Sequence, residues 1–226
     1  MGTSKSNKEA KENIKDMKES IIKYGEKIFI KYLDGRQFNA EKVSSWQENI
    51  IDDLLNYCKE NYTNYNFLII SFLASGSSSY NSSASGILNR KTDDYFSFNN
   101  GTNNNFHIEI RVFFFIDNLK PKGNYNSLEN SIIKKNIEIN EKILDEKKYS
   151  FSSCDKYINS IPKELTDYIL KFDKSRYYYC VIYLVKNDMK EWFVDFKYSG
   201  DKPINSKITE IYRGKNIEGV NYIFSW

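Results

Sequence analysis

The sequence predicts an α+β protein with two tandem domains, each containing two helices followed by four strands. In each half, the spacing of apolar residues changes from about 3.6, which is typical of amphipathic helices, to 2, which is typical of half-buried strands. The tetrapeptide Ser-Ile-Ile-Lys also occurs twice, starting at Ser20 and at Ser131 in a chain of 226 residues. The two copies are 111 residues apart, from 131 − 20, and we call this distance the repeat offset. It is too long for a solenoid and indicates a duplicated domain.

The first half shows two helical segments and four strands. Apolar residues at spacings of three and four predict a first helix over residues 8–31, and an Asp-Gly turn at Asp34 and Gly35 ends it. A second apolar stripe, from Val43 to Cys58, predicts a helix over residues 40–61. Alternating or continuous apolar residues then predict strands over residues 67–74, 78–88, 94–99 and 106–116.

The second half repeats this order after a segment rich in Asn, with one Pro and one Gly. Apolar stripes predict helices over residues 128–144 and 151–171, with Pro162 at a helix start. Strands follow over residues 177–185, 191–199, 207–213 and 219–226, and the turn at residues 186–188 predicts that the first two form a hairpin. The predicted limits are an extension over residues 1–19, domain 1 over 20–117, a linker over 118–130 and domain 2 over 131–226.

Composition excludes several classes of function. The 33 basic and 30 acidic side chains leave a net charge of +3, too small to indicate nucleic-acid binding. Three cysteines without a CxxC pair indicate neither a disulfide framework nor a zinc site. The N-terminus has no apolar signal-peptide core, and the longest apolar run is too short to span a bilayer. We therefore expect a soluble intracellular protein.

Several motifs of the first half occur together in one known family. The sequence IIK opens the first helix, an aromatic residue follows at Phe38, and KVSSW, from Lys42 to Trp46, opens the second helix. The strands NFLIISFLA, SSASGIL and FHIEIRVFFFI then follow in that order. In these features, residues 21–116 resemble a Tctex-type dynein light chain.

This resemblance implies a fold and a function. Two helices would pack on an antiparallel sheet, and the second strand would be exchanged in dimers. Members of the family bind short segments of dynein intermediate chains and cargo adaptors by extending the sheet, because an exposed edge offers unpaired N–H and C=O groups. The two tandem domains would form an intramolecular pseudo-dimer, or two chains would form a homodimer. The resemblance also implies a cytoplasmic location on the cytoskeleton or in a cilium.

The resemblance predicts a peptide-binding site on two strands. Small side chains over residues 79–85 would let another backbone approach closely. The predicted binding residues are Tyr80, Ser82, Ser83, Ser85, Leu88, Tyr95 and Phe98. The second half has no tryptophan near Asn159 or Ser160, and its second strand, EWFVDFKY, is bulky. We therefore expect the second half to complete the pseudo-dimer without binding peptide in the same way.

No residue pattern indicates catalysis, a metal or a cofactor. His107, the only histidine, alternates with apolar residues and is expected on the solvated face of a strand. Cys58 and Cys180 occupy apolar positions and are expected in the core. Glycine-rich phosphate-binding patterns are absent. Residues 1–6 fit an N-myristoylation pattern, so Gly2 is a candidate for acylation and would be the only route to a membrane.

Two other resemblances remain open. The sequence SWQENIIDDLLNYCKENYTNYNF is somewhat similar to a helix-to-strand segment of the actin capping protein alpha subunit, which has no place for the four strands of the second half. Small bacterial immunity proteins or antitoxins also combine Lys-, Asn- and Tyr-rich helices with hairpins. The alternative function is therefore neutralisation of a toxin by covering part of its surface.

Overall fold

A computed structural model describes most of the chain. The described residues are 3–75, 80–87, 92–99, 106–116, 126–144, 150, 154–155, 158–172, 178–186, 192–199, 205–213 and 217–225. Among them, the helices are α1 (Thr3–Leu33), α2 (Ala40–Asn61), α3 (Asn126–Leu144) and α4 (Ser160–Phe172). The strands are β1 (Asn66–Ser75), β2 (Tyr80–Ile87), β3 (Asp94–Asn99), β4 (Phe106–Phe115), β5 (Tyr178–Lys186), β6 (Trp192–Tyr198), β7 (Asn205–Arg213) and β8 (Ile217–Ser225).

The predicted α+β fold with antiparallel sheets is confirmed. The chain divides into two compact units, each with two helices and one four-stranded sheet among the described residues. Helices α1 and α3 begin earlier than the sequence pattern indicated, α2 begins where it was predicted, and α4 begins later, at Ser160. Helix α1 begins at Thr3, within the predicted extension, and α3 begins at Asn126, within the predicted linker.

Unit 1 contains α1, α2 and a sheet with the strand order β3-β4-β1-β6. Each neighbouring pair is antiparallel, and β1 lies between β4 and β6. Asn39 caps α2, because its side-chain oxygen accepts hydrogen bonds from the backbone N–H groups of Glu41 and Lys42 at 3.0 and 3.2 Å. Between the two helices, Gly35 has a φ of 66°, a left-handed conformation that favours glycine.

Unit 2 contains α3, α4 and a sheet with the order β2-β5-β8-β7, also antiparallel. The second strands of the two halves are thus exchanged: β2 completes the sheet of unit 2, and β6 completes that of unit 1. The predicted hairpin between β5 and β6 is therefore wrong. Strand β5 pairs with β2 and β8, while β6 pairs with β1, because pairing is decided by which apolar faces fit together and not by the length of the turn.

The core of each unit lies between its helices and one face of its sheet. In unit 1, residues of α1 and α2 pack on alternate residues of β1 and β4, including Phe67, Ile69 and Leu73. In unit 2, residues of α3 and α4 pack on β5 and β8. Buried residues of the two halves are separated by the repeat offset, as in Ile21 and Ile132, Ile28 and Ile139, Leu33 and Leu144, and Leu54 and Leu165. The spacing of the SIIK repeat therefore extends through the core.

The face of β4 that was expected to be solvated is buried instead. Glu109 is 6% exposed and Arg111 is 8% exposed, and His107 beside them is half-buried. Arg111 Nε lies 2.7 Å from Glu109 Oε1, and residues two apart on a strand share a face. The prediction failed because alternation of polar and apolar residues does not distinguish a solvated face from one that buries an ion pair.

Candidate functional site: two terminal strands

Strand β2, which carries four of the predicted binding residues, lies at one end of the sheet of unit 2. Its register with β5 places Ser83 opposite Ile182 and Ser85 opposite Cys180, whose side chains belong to the core under the helices. Residues 81, 83 and 85 therefore face the helix layer, and residues 80, 82, 84 and 86 face the opposite side.

The helix-facing side chains of β2 bond to α4 and to the residues just before it. Asn81 donates from Nδ2 to Oδ1 of Asp155 at 2.8 Å, and Ser83 donates from Oγ to Oδ1 of Asn159 at 2.6 Å. The hydroxyl oxygens of Ser85 and Thr166 lie 3.0 Å apart. Small polar side chains thus attach this terminal strand to the helix layer, a role in folding that the sequence pattern did not indicate.

The other predicted residues of β2 have a different placement. Tyr80 and Ser82 are half-buried and lie on the face of β2 away from the helices. Leu88 and Gly2 lie outside the described residues. Because the structure places Tyr95 and Phe98 in the sheet of unit 1, it does not bring all the predicted residues into one sheet.

Strand β3 lies at one end of the sheet of unit 1 and packs against α1. Phe98 faces the helices, its ring centroid lies 5.7 Å from that of Phe29, and a Cβ atom at Gly25 would overlap its ring. Asp94 forms an ion pair with Lys18 of α1. Tyr95 pairs in register with Phe113, on the face of the sheet away from the helices. Phe98 therefore contributes to the core, and a binding role for its side chain would compete with that packing.

Strand β6, at the other end of the same sheet, is attached to α2 by charge. Lys197 Nζ lies 2.6 Å from both carboxylate oxygens of Asp52 and 3.4 Å from Oε1 of Glu48. Burial lowers the pKa of Lys197, but the hydrogen bonds and charges of these carboxylates raise it by more. The net pKa therefore lies above its usual 10.5. The ammonium group is thus fully charged at neutral pH.

Gln47 of α2 and Ser199 provide further attachment for β6. Gln47 Nε2 donates to the backbone oxygen of Ser71 at 2.8 Å and lies 3.3 Å from that of Phe193, so one side chain bonds to both β1 and β6. Ser199 accepts on Oγ from the N–H of Phe67, and its own N–H donates to the oxygen of Phe67, both at 2.8 Å. Neither Gln47 nor Ser199 was predicted as functional, because their partners are distant in sequence.

The cysteine thiols of the described residues are buried. Cys58 is fully buried, and burial raises the pKa of its thiol to about 12. Burial also raises the pKa of Cys180 well above the usual value for a thiol. The prediction that both are core residues is confirmed. Within the described residues, no three acidic, histidine or cysteine side chains come close enough to hold a metal ion.

Three buried amides form a cluster in unit 2. Asn221 Nδ2 donates to Oδ1 of Asn136 at 2.6 Å, and Asn140 Nδ2 donates to the same oxygen at 3.1 Å and to the backbone oxygen of Asn136 at 2.8 Å. All three residues are 4% exposed or less. In unit 1, the positions one repeat offset earlier hold Gly25, Phe29 and Ile110, which belong to an apolar region. The two cores thus differ in polarity at equivalent positions.

The first half of the chain matches one known protein family. Residues 12–115 match the model of the Tctex-1 family. No curated protein is significantly similar to the chain in sequence. The family match covers α1 from residue 12 onward, α2 and β1 to β4, and it includes every predicted binding residue of the two terminal strands. No helix within the described residues has the length and apolar character needed to cross a bilayer.

Proposed function

We propose that the protein is a non-catalytic adaptor of the dynein light chain type, because residues 12–115 match the model of the Tctex-1 family. It binds extended peptide segments, such as those of a dynein intermediate chain or a cargo adaptor, within a dynein motor or a ciliary or cytoskeletal complex. The family match favours this function over neutralisation of a toxin.

The position of β2 and β3 at the ends of their sheets is the observation that carries the proposal. A terminal strand can accept an added strand, whose backbone supplies most of the affinity and whose alternate side chains supply specificity. Side-chain hydrogen bonds between Asn81, Ser83 and Ser85 and the helix layer hold β2 in an extended conformation before any peptide binds. Binding to a preorganised strand costs less conformational entropy than binding to a disordered one.

The proposed domains are residues 20–117 and 131–226, descended from one duplicated unit. The constant repeat offset between equivalent core positions supports the duplication. The exchange of β2 and β6 supports an intramolecular pseudo-dimer, in which the second half takes the place of a second chain.

The burial of two cysteine thiols favours a non-catalytic role. The thiols of Cys58 and Cys180 are buried and protonated at neutral pH, so neither is an effective nucleophile. Residues 1–6 also support N-myristoylation of Gly2, which mass spectrometry of the N-terminal peptide from the native cell would detect as an added acyl chain.

Backbone N-methylation of a peptide would test strand addition. The peptide is a fluorescently labelled segment of a dynein intermediate chain, titrated with the full chain and followed by anisotropy. In an added strand, alternate N–H groups point toward the sheet, so methylation at alternate positions should weaken binding about 3- to 10-fold, as expected for one lost hydrogen bond. Methylation at the positions between them should have little effect.

Amide hydrogen exchange would locate the site. Bound peptide should slow exchange in β2 or β3 while leaving α1 and α2 unchanged, and the chain without peptide is the control. Uniform sensitivity to methylation would rule out strand addition. Protection confined to other elements would rule out this location, and a complete lack of binding to intermediate-chain and adaptor segments would contradict the adaptor function.

A further inference from the structure

We propose that the exchanged strands β2 and β6 are not interchangeable. Each carries a helix-facing triplet of side chains that fits the helix layer of one unit only. The triplet of β2 is Asn81, Ser83 and Ser85, and that of β6 is Phe193, Asp195 and Lys197. The first half of the chain therefore selects the second half as its exchange partner and disfavours a second copy of itself.

The triplet of β6 fits α2 through one cation and one ring. Lys197 is held between Asp52 and Glu48, at 2.6 and 3.4 Å. The Phe193 ring packs on the core of unit 1, and its backbone oxygen is within 3.3 Å of Gln47 Nε2. The helix layer of unit 1 thus presents two carboxylates at one end of the strand and an apolar surface at the other.

The triplet of β2 fits α4 and the residues before it through short polar groups. The carboxylate of Asp155 accepts from Asn81, the amide oxygen of Asn159 accepts from Ser83, and the hydroxyl of Thr166 bonds to Ser85. Thr166 is 4% exposed. The helix layer of unit 2 thus presents a carboxylate where unit 1 is apolar, and a buried hydroxyl where unit 1 has two carboxylates.

The strand registers show that the two triplets occupy equivalent positions. Phe193 pairs with Leu73 and Asn81 pairs with Leu184, and these two leucines are separated by the repeat offset. Lys197 pairs with Ile69 and Ser85 pairs with Cys180, which are separated by the same offset. Asn81 therefore stands where Phe193 stands in the other unit, and Ser85 where Lys197 stands.

Exchange between two identical halves would place each triplet on the wrong helix layer. In a pair of first halves, β2 would put the amide of Asn81 against the apolar surface of unit 1 and would leave Asp52 and Glu48 without Lys197. In a pair of second halves, β6 would put the Lys197 ammonium beside buried Thr166 and would deprive Asp155 of its amide donor. Moving the Asn81 amide or the Lys197 ammonium out of water without a partner is costly, so both identical pairs are disfavoured. Asp155, Glu48 and Asp52 keep contact with solvent, so the loss of their partners adds less.

Transplanting the triplets in the full chain would test the proposal. One variant carries Asn81→Phe, Ser83→Asp and Ser85→Lys, a second carries Phe193→Asn, Asp195→Ser and Lys197→Ser, and a third combines all six. Melting temperature and mass by light scattering are measured for each. We expect the unaltered chain to be a monomer of 26.7 kDa, and each single transplant to melt about 5 °C lower or more.

The combined variant gives the decisive result. In this variant, β2 carries the triplet that fits unit 1 and β6 carries the triplet that fits unit 2. Strands should therefore be exchanged between the first halves, and between the second halves, of different chains. We expect the melting temperature to rise above that of both single transplants and the mass to double or to increase further. Single transplants that melt at the same temperature as the unaltered chain, or a combined variant that stays monomeric and melts lowest of all, would overturn the proposal.

A charge reversal decides the matter if the single transplants do not fold. Lys197→Glu places a third carboxylate beside Asp52 and Glu48, and should lower the melting temperature. Adding Glu48→Lys and Asp52→Lys to the same chain restores opposite charges and should recover at least half of the loss. Failure to recover would show that unit 1 does not select β6 by charge and would overturn the proposal.

Discussion

Lys197 of β6 holds both carboxylate oxygens of Asp52 of α2 at 2.6 Å, although 145 residues separate the two in sequence. This ion pair joins the sixth strand of the chain to the second helix, and it exists only because the second strands of the two halves are exchanged. It is partly exposed to solvent, with 30% of the Lys197 side chain and 45% of the Asp52 side chain accessible.

Lys197→Ala should lower the free energy of unfolding by about 0.2–1 kcal/mol at low salt, since partly exposed ion pairs contribute amounts in this range. The loss should shrink at about 1 M salt, which screens exposed charges over a few ångströms. Urea unfolding at both salt concentrations would measure it. Lys15→Ala is the matched control, because Lys15 forms a more exposed pair with Glu19, and an equal loss in both variants would contradict the assigned role.

Asp53→Asn should change the dependence of stability on pH. Burial raises the pKa of Asp53, but hydrogen bonds from Lys31 at 2.7 Å and Tyr32 at 2.9 Å lower it by more. The net pKa is therefore below the usual 3.8. A depressed carboxyl pKa contributes stability that is present above the unfolded value of 3.8 and lost as the pH falls through the native value.

The stability advantage of the unaltered chain over Asp53→Asn should therefore be constant between about pH 5 and pH 7 and should decrease below about pH 4. Acid titration of urea unfolding would detect the change. Asp34→Asn, an exposed site, is the control and should show no such decrease. An advantage that persists unchanged at strongly acidic pH would exclude a contribution from the ionised Asp53 carboxylate.

Gly25→Ala should destabilise unit 1 despite the better helix propensity of alanine. The added methyl group overlaps the ring of Phe98, and the overpacking cost of about 1–3 kcal/mol exceeds the helix gain of about 1 kcal/mol. In a Phe98→Ala background the overlap is removed, so the same change should become stabilising by about 0.5–1 kcal/mol. Urea unfolding of the four chains forms a double-mutant cycle, and an unchanged sign would show that Phe98 does not limit this position.

Gln47→Leu should lower the free energy of unfolding by about 1–3 kcal/mol. Gln47 is 1% exposed, and its amide group bonds to the backbone oxygens of Ser71 and Phe193, so leucine removes a buried donor that joins α2 to two strands. Guanidinium unfolding would measure the loss. Gln37→Leu, at an exposed site, should change stability by less than about 0.5 kcal/mol, and similar values for the two would contradict the role of the amide.

The asparagine cluster of unit 2 should respond differently to one substitution and to three. Asn136→Ala removes the acceptor of Asn221 Nδ2 and should cost about 1–3 kcal/mol, because a buried donor is left unpaired. Asn136→Ala with Asn140→Leu and Asn221→Val removes all three amides and should recover most of that loss. Urea unfolding would compare the two chains, and a triple variant less stable than the single one would show that the amides stabilise the core.

Local periodicity was sufficient to predict most helices and strands. The stripe from Val43 to Cys58 predicted α2 with its observed bounds, and alternation placed β3 correctly because side chains on each element have a fixed period. The buried thiols of Cys58 and Cys180 also followed from their positions on apolar faces. Motifs such as KVSSW and SSASG pointed to the Tctex-1 family, which the match over residues 12–115 supports.

The partners of the strands could not be read from the same pattern. The turn after Lys186 suggested a hairpin, yet β5 and β6 lie in different sheets. The small side chains of Ser83 and Ser85 led to the prediction of a peptide-binding strand, but nothing in the sequence indicated that their hydroxyl groups bond to Asn159 and Thr166. A local pattern records which face of a strand is apolar but carries no information about the helix or strand that covers it.

The amino-acid sequence alone determined the order of the elements, the repeat offset and the resemblance of the first half, because each can be read from residue order along the chain. The tertiary structure decided the exchange of β2 and β6, the burial of Glu109 with Arg111, and the pairing of Lys197 with Asp52. The strand exchange and the Lys197–Asp52 pair depend on contacts between residues that are distant in sequence. The burial of Glu109 and Arg111 depends on whether their face of the sheet is covered in the folded chain. The free energy of such contacts exists only in the folded chain.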